Sequence, residues 1–373
     1  MIKIIHIIPC LRRGGAERLV LDIVSELTKK PDMLVKLIVF SDINDYSNEY
    51  PSVNPVIIPS TVSASFFRKW NYNVHELSEY INAFKPDIIH THLFEAEFVS
   101  RAVDYSKATW FSHCHDNMIQ FENFSLKTIF SKRSFTNYYE KRYLFKRYKL
   151  NKENRFIAIS NHTKKYFEST SKHNPVSLLH NSINYDLFYN TKDYETMKSK
   201  ISLINTGSFV DKKNQAFLID VVNELKNRKI DFELHLLGDG VNKAILMNKV
   251  KYLDIEKAVY LHGNVQNVEE YLWQSDIYVH SATYEPLGLV LLEAMAAGLP
   301  VVCLDGGGNR DIIEEGKNGF MIDQQDPVLF ADKIIELINN KELYAKMSLY
   351  AQEFAKKYDI KDYVDKLLKL YSA

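Results

Sequence analysis

Short apolar runs alternate with amphipathic stretches along the whole chain, and each change of period marks an element. Ile2–Ile8 is a run of isoleucines broken only by Lys3 and His6, which reads as a strand buried on both faces. Arg13-Gly14-Gly15-Ala16-Glu17 follows and opens a helix to about Lys29. Val35–Phe40 and Val56–Ile58 read as strands and Tyr72–Phe84 as a helix; the strand Asp87–His92 opens the next helix near Glu95. Thr109–His113 is a strand, Asn137–Tyr148 a helix and Phe156–Ile159 a strand with a helix from Asn161. Val176–Leu179 then leads into His180-Asn181-Ser182. A polar stretch, Tyr189–Lys200, interrupts the pattern before it repeats. The repeat has strands at Ser202–Thr206, Asp231–Leu237, Tyr260–His262 and Gly319–Ile322, and a helix at Asn214–Asn227. A final amphipathic helix, Ile360–Tyr371, is free to pack on either half. Strands alternating with helices predict two α/β domains with parallel sheets, facing one another across a cleft.

The clearest unit in the second half is Ser275–Asp305. Asp276–Ala282 alternates and reads as a strand, and Thr283–Pro286 as a turn. Leu287–Ala297 reads as a helix stopped by Gly298 and Pro300, and Val301–Leu304 as a second strand. Open α/β sheets bind ligands beyond the carboxyl ends of their strands. Glu285 lies there, at the mouth of a helix whose free N–H groups favour an anion. Glu293 is the only charged residue from Pro286 to Leu304, in a helix apolar almost all round. A buried unpaired carboxylate costs several kcal/mol. Glu293 therefore either reaches solvent at the helix rim or meets hydrogen-bond donors, for which a ligand diol is well suited.

Composition changes this picture only by exclusion. A chain of 373 residues exceeds what one core usually supports, so two domains are expected. Lys+Arg and Asp+Glu are both 47, so no global charge argues for nucleic acid as a partner. Cys10, Cys114 and Cys303 are too scattered for a disulfide framework and fit a reducing compartment. The N-terminal apolar run lacks a small-residue cleavage site, and no segment has the roughly 18 uncharged apolar residues of a spanning helix. A cytoplasmic protein is expected, at most attached to the inner face of a membrane.

Other motifs carry chemistry beside a plain structural alternative. Gly14 and Gly15 at a βα turn let backbone amides approach a phosphate, although such turns also occur without ligands. There is no G-x-G-x-x-G after a first strand, which counts against a dehydrogenase. Gly207-Ser208-Phe209 with Lys212-Lys213-Asn214 occupies the corresponding turn of the second domain. Lysines at a helix N-terminus oppose its dipole, so an external anion or solvent must balance them. His90/His92 and His113/His115 are spaced i, i+2, so each pair faces one side of its strand. Two such pairs are the raw material of a metal site, but only Asp116 lies nearby to complete a set, and no metal is expected. His115 is better placed to touch a ligand. Lys127–Lys149 holds eight Lys/Arg against Glu140, with seven aromatics interleaved. Together with Ser65–Trp70 this segment suits an anionic membrane surface, with RNA contact and a plain solvated helix as alternatives.

Taken together, GGAER, SHCHDN, IAISNHTKKYF, LHNSINYDLF, GSFVDKKN, LLGDG, LHGNV and Glu285-x7-Glu293 occur in the order of glycosyltransferase family 4. The chain resembles these retaining, metal-independent nucleotide-sugar transferases of GT-B fold over nearly its whole length. The resemblance implies residues 1–182 as an acceptor-side domain, 183–355 as a donor domain, and 356–373 as a crossover helix returning to the first. It implies Glu293 on the donor ribose, Glu285 on the transferred sugar, and amides of Leu287, Gly288 and Leu289 on sugar or diphosphate. Lys213 would neutralise the leaving diphosphate, with Gly14 and Gly15 opposite; Val265 would lie at the base and His115 near the reacting sugar. Ser208 stands where the family usually has arginine, which leaves Arg12, Arg13 or Lys212 as substitutes, and Ser182 where it usually has glycine. The implied activity is transfer of a hexose-type sugar from a nucleoside diphosphate to a glycan or lipid-linked glycan in surface polysaccharide synthesis, with no cofactor. A nucleotide-sugar 2-epimerase and a non-catalytic nucleotide-sugar-binding protein are the alternatives.

Overall fold

The computed structural model describes residues 1–64, 70–121, 132–150, 154–171, 174–191 and 200–373. The chain divides into two compact units, one of Met1–Asn181 with Ile360–Ala373, the other of Ser182–Asp359.

In the first unit β1 (Ile2–Ile8), β2 (Met33–Val39), β3 (Val56–Ile57), β6 (Ile88–His92), β7 (Thr109–Cys114), β8 (Asn154–Ala158) and β9 (Val176–Leu178) form one parallel sheet. Its order is β3-β2-β1-β6-β7-β8-β9. β4 (Thr61–Ala64) and β5 (Trp70–Asn73) make a separate antiparallel hairpin. The helices are α1 (Gly15–Thr28), α2 (His75–Phe84), α3 (Leu93–Ser100), α4 (Lys132–Leu150) and α5 (Asn161–Thr170). Tyr72, expected at a helix start, pairs with Val62 in the hairpin instead. The aromatic Trp70 and Tyr72 themselves suit extended backbone, and the helix waits until His75.

The second unit begins with the short α6 (Tyr185–Phe188). Its six-stranded parallel sheet runs β12-β11-β10-β13-β14-β15. The strands are β10 (Ile201–Thr206), β11 (Phe232–Leu237), β12 (Val259–Gly263), β13 (Ile277–His280), β14 (Val301–Leu304) and β15 (Gly319–Ile322). α7 (Gln215–Asn227), α8 (Lys243–Tyr252), α9 (Val268–Gln274), α10 (Leu289–Ala296), α11 (Pro327–Asn339) and α12 (Lys341–Lys356) complete it. One core joins Leu203, Leu234, Ile277 and Val302 of the sheet to Leu218 and Val222 of α7 and Phe330 and Ile334 of α11.

The last helix, α13 (Ile360–Ser372), belongs to the first unit. Its strongly amphipathic face buries Ile360, Tyr363, Val364 and Leu367 against Ile4, Leu19 and Ile23. Lys30 and Asp365 add an ion pair of 2.9 Å.

Both sheets are doubly wound about their first strand. β1 has β2 on one side and β6 on the other, and β10 has β11 on one side and β13 on the other. In such sheets a crevice opens beyond the carboxyl ends of the strands where the order reverses. In the second unit that place is framed by the turns after β10 and β13. In the first it is framed by β1, β6 and β7.

Among the described residues, no helix is long and apolar enough to cross a membrane. The expected membrane-facing residues 65–69 and 127–131, and positions 192–199 of the polar stretch, lie outside the described residues.

Candidate active site

In the second unit the turn after β10 and the turn after β13 bring Lys213 and Glu285 together. Lys213 Nζ donates to Glu285 Oε2 at 2.5 Å. His280, the last residue of β13, places Nε2 3.3 Å from the same oxygen. Burial alone would raise the Glu285 carboxyl. Lys213 and His280 overcome that and hold it down at about 2, so it is ionised at every physiological pH. His280 is itself pushed below the ordinary imidazole value by burial, partly offset by Glu285.

Local backbone explains why these side chains meet. Asn214 takes left-handed φ of 50° between the Asp211–Lys213 turn and α7, which turns Lys213 back over the strand ends. Ser281 Oγ donates to the Lys213 carbonyl at 2.8 Å, and Thr283 N donates to the Lys212 carbonyl at 2.9 Å. The two turns are therefore stitched to each other. Glu285 is pinned on its other side, where its N–H donates to Gly306 O at 2.7 Å and its carbonyl accepts from Gly308 N at 2.8 Å. A Cβ at Gly306 would lie 2.8 Å from Glu285 Cβ, so only glycine permits the approach. Buried Asn309 holds the glycine turn through Gly306 N at 2.9 Å and Leu304 O at 2.8 Å.

The other predicted donor residues of this unit lie in the turns after β10 and β12 and at α10. Gly288 has φ of 98° and immediately precedes α10, whose N-terminus has no side-chain cap and no acid in its first turn. Leu287 is buried and Leu289 half-buried, so their side chains serve packing and their amides remain the chemistry. Glu293 lies on α10 and is 9% exposed, which excludes the freely solvated rim carboxylate. Tyr278 on β13 bonds Thr206 through its hydroxyl at 2.9 Å, and burial, together with the charges of Glu293 and Glu285, keeps that hydroxyl protonated. Ser208 is exposed, its carbonyl accepting from Gln215 Nε2 at 3.2 Å. Lys212 lies 5.7 Å from the ring of Tyr284. Val265 is half-buried in the turn after β12.

In the first unit, Gly14 caps α1 with extended backbone and exchanges two hydrogen bonds of 3.0 Å with the Tyr46 hydroxyl. Gly15 is exposed at the helix start. Arg13 is committed to Glu49 at 2.6 Å. His115 is 7% exposed and belongs to a larger group than the sequence pairs implied. His6 on β1 sits in register with His90 on β6, and His92 with His113 on β7. His6 Nδ1 lies 2.9 Å from His92 Nε2, and His92 Nδ1 lies 3.1 Å from His115 Nε2. Burial first, and neighbouring imidazoles second, push His90, His92 and His115 well below the ordinary value and His6 to about 3. His113 falls to about 4 through burial, opposed by its bond to Asn181. These five side chains are neutral at pH 7.

Two family models cover the chain in succession. "Glycosyltransferase Family 4" matches residues 13–187 and "Glycosyl transferases group 1" matches residues 190–354. The chain belongs to glycosyltransferase family 4. Among curated members, an uncharacterized glycosyltransferase of Methanocaldococcus jannaschii is 27% identical over 235 residues, 62% of each chain. N-acetyl-alpha-D-glucosaminyl L-malate synthase of Bacillus anthracis is 33% identical over 162 residues, 43% of this chain and 42% of that one. The aligned region thus spans between about two fifths and three fifths of these relatives' length. The crystal structure of Anabaena HepE in complex with UDP and glucose superposes with a TM-score of 0.79 at 18% identity, covering 100% of both chains. The fold is GT-B.

His280, Tyr278, Asn309, Gly306, Gly308 and His6 were not singled out by sequence. The usable signals were a histidine ending the strand before Glu285, the Gly306-Gly307-Gly308 run, and a polar residue within the first isoleucine strand.

Proposed function

We propose that this protein is a retaining glycosyltransferase that moves a hexose-type sugar from a nucleoside diphosphate to a glycan or lipid-linked glycan, in surface polysaccharide synthesis. The observation that carries the reading is the Lys213–Glu285 pair, backed by His280, at the strand ends of the second unit. Lysine and carboxylate neutralise one another in the unliganded protein. A nucleoside-diphosphate sugar supplies a better partner for each: its diphosphate for Lys213, its sugar hydroxyls for the ionised Glu285.

Chemistry follows from that exchange. The bond from the anomeric carbon to the diphosphate oxygen breaks, and the acceptor oxygen bonds to the same face of that carbon. The acceptor proton passes to a leaving-phosphate oxygen. Lys213 and the N-terminus of α10 stabilise the charge that develops on the diphosphate. Glu293 takes the ribose hydroxyls, amides at Leu287–Leu289 hold sugar or phosphate, and Val265 borders the base. Ser208, Gly14 and Gly15 supply uncharged phosphate contacts, and neutral His115 serves the sugar and acceptor. Because Lys213 does the work of a cation, transfer needs no added divalent ion.

UDP-sugars are the first donors to try, since HepE was crystallised with UDP and glucose. A mass-resolved donor panel with and without glycan acceptor tests the reading, and equal rates with and without added Mg2+ are expected. Binding without hydrolysis or transfer of any donor would overturn it. We further infer attachment to the cytoplasmic membrane face through α4, whose Arg142, Lys146, Arg147 and Lys149 line a cavity of about 890 Å³ with Trp70 and Tyr72. Charge reversal at Lys141, Arg142, Lys146 and Arg147 should release the protein from anionic vesicles, and indifference of the wild type to such vesicles would refute attachment.

A further inference from the structure

Beyond His115, the donor chemistry leaves the histidine group of the first unit unexplained. Five imidazoles on three adjacent strands and the residue just past one of them is an expensive arrangement, because each buried ring has two polar nitrogens to satisfy. His90 Nε2, His113 Nδ1 and His115 Nδ1 are buried without a hydrogen-bond partner. Among the described residues, no carboxylate or backbone group answers these atoms.

We propose that His92, His113 and His115 form a site for one divalent transition-metal ion of the Zn2+, Co2+ or Ni2+ class. One ring nitrogen from each lies within 4.8 Å of the other two, the three being buried. Two nitrogens bound tetrahedrally at 2.0–2.1 Å from one ion sit about 3.3 Å apart. The 3.1 Å separation of His92 Nδ1 and His115 Nε2 is already close to that, so little movement is needed. Ring-to-ring stacking holds the set together, with His113 and His115 centroids 4.2 Å apart and His92 and His113 5.1 Å apart.

The outer shell also fits. Metal-bound histidines normally donate their second ring N–H to a fixed acceptor. His113 Nε2 lies 3.1 Å from Asn181 Oδ1, which leaves its partnerless Nδ1 as the lone-pair side. His92 Nε2 lies 2.9 Å from His6 Nδ1. Farther back, the Tyr371 hydroxyl from α13 meets His90 Nδ1 at 2.6 Å. The five rings are neutral at pH 7, the state in which imidazole binds metal. An all-nitrogen set selects borderline transition ions over Mg2+ and Ca2+, which prefer oxygen. His115 is the least buried of the three, so the fourth position opens on its side, where water or an anion offsets the ion's charge. A second histidine set, His6, His90 and His92, shares His92 but is more deeply enclosed. This inference does not rest on the glycosyltransferase reading, because its readout is ion uptake and not turnover.

The test is Co2+ titration of purified, chelator-stripped full-length protein, followed by visible absorption and by metal analysis after desalting. The wild type should retain one Co2+ per chain with the absorption of a low-coordinate nitrogen site, displaced by Zn2+ and unaffected by excess Mg2+. H113Q and H92Q should lose that uptake. H235Q, which breaks the separate His235–His262 contact in the second unit, should keep it. No retained Co2+ in the wild type, or full retention in both H113Q and H92Q, overturns the proposal. Should those variants fail to fold, X-ray absorption on the wild-type Co2+ protein counts the imidazoles directly. Three support the site, and one or none refutes it.

Discussion

The two units share one topology and end their central strands in opposite chemistry. β10 and β13 deliver a cation and a carboxylate that have escaped the cost of burial by pairing. β1, β6 and β7 deliver five imidazoles that have escaped it by staying neutral. Strand order therefore dictates where functional side chains converge, and the side chains alone dictate what converges with them. A charged pair suits a ligand carrying phosphate and hydroxyls. A neutral nitrogen-rich group suits a metal ion.

Acid should separate the two units most strongly. Each of these five histidines has a folded value below its unfolded one, so the unfolded chain binds more protons as pH falls through about 6.5. Stability is complete above that pH and falls below it, at about 1.4 kcal/mol per pH unit for each proton. Five deeply buried histidines act together in the first unit, whereas only His262 and His280 are depressed in the second. Glu285 is also depressed, but its contribution is present above the unfolded carboxylate value and is lost only as pH drops toward 2. Hydrogen exchange from pH 7 to pH 5 should therefore show β1, β6 and β7 losing protection before β10 and β13. Simultaneous loss would mean that the histidine group is not the acid-sensitive element.

A second contrast is between the ion pair of the proposed donor site and a structural one. Glu97 and Arg101 on either end of one turn of α3 pair at 2.8 Å, and both are almost fully buried. Arg101 also donates to Ser112 Oγ at 3.1 Å and to Asn154 Oδ1, and its guanidinium lies 4.4 Å from the Trp110 ring. Both side chains are held almost wholly inside the first unit, so this pair serves the fold. R101A should cost about 3–5 kcal/mol by chemical denaturation, because it strands a buried carboxylate. K213A leaves Glu285 a second partner in His280 and a route to solvent, and should cost less. Equal losses would erase the distinction between the pairs.

Activity should invert that ranking. E285A should lower turnover about 10²–10³-fold, as for removal of one preorganised polar contact to the reacting group, with unfolding nearly unchanged. K213A should do the same, and the double variant should add little because the two act as a unit. Unchanged turnover in E285A would sink the donor-site assignment.

Much of this was legible in sequence because buried parallel strands advertise themselves. Val301–Leu304 and Gly319–Ile322 were bounded as observed, and Glu285 and Glu293 stood out as charges in an apolar stretch. What was not legible depended on partners distant along the chain. His6 looks like an interruption of an isoleucine run until β6 is laid beside it in register. Gly306 looks like one of many glycines until Glu285 packs against it. Tyr72 was misread because a short hairpin strand carries no long period to set against a helix start.

The smallest predicted effect concerns Ser208, and it asks whether the second unit's charge is complete. Its side chain is exposed in the turn that carries Lys213, where the family usually has a second cation. The turn itself is fixed by backbone, with Gly207 N donating to Leu237 O and Phe209 N donating to Asp239 O, both at 2.9 Å. A longer side chain at 208 can therefore be added without moving Lys213. An arginine there would bind diphosphate bidentately in the ground state as well as in the transition state. S208R should accordingly lower the donor KM several-fold and leave kcat nearly constant, the signature of uniform binding. A rise in KM would mean that the serine is fitted to a donor that an arginine excludes.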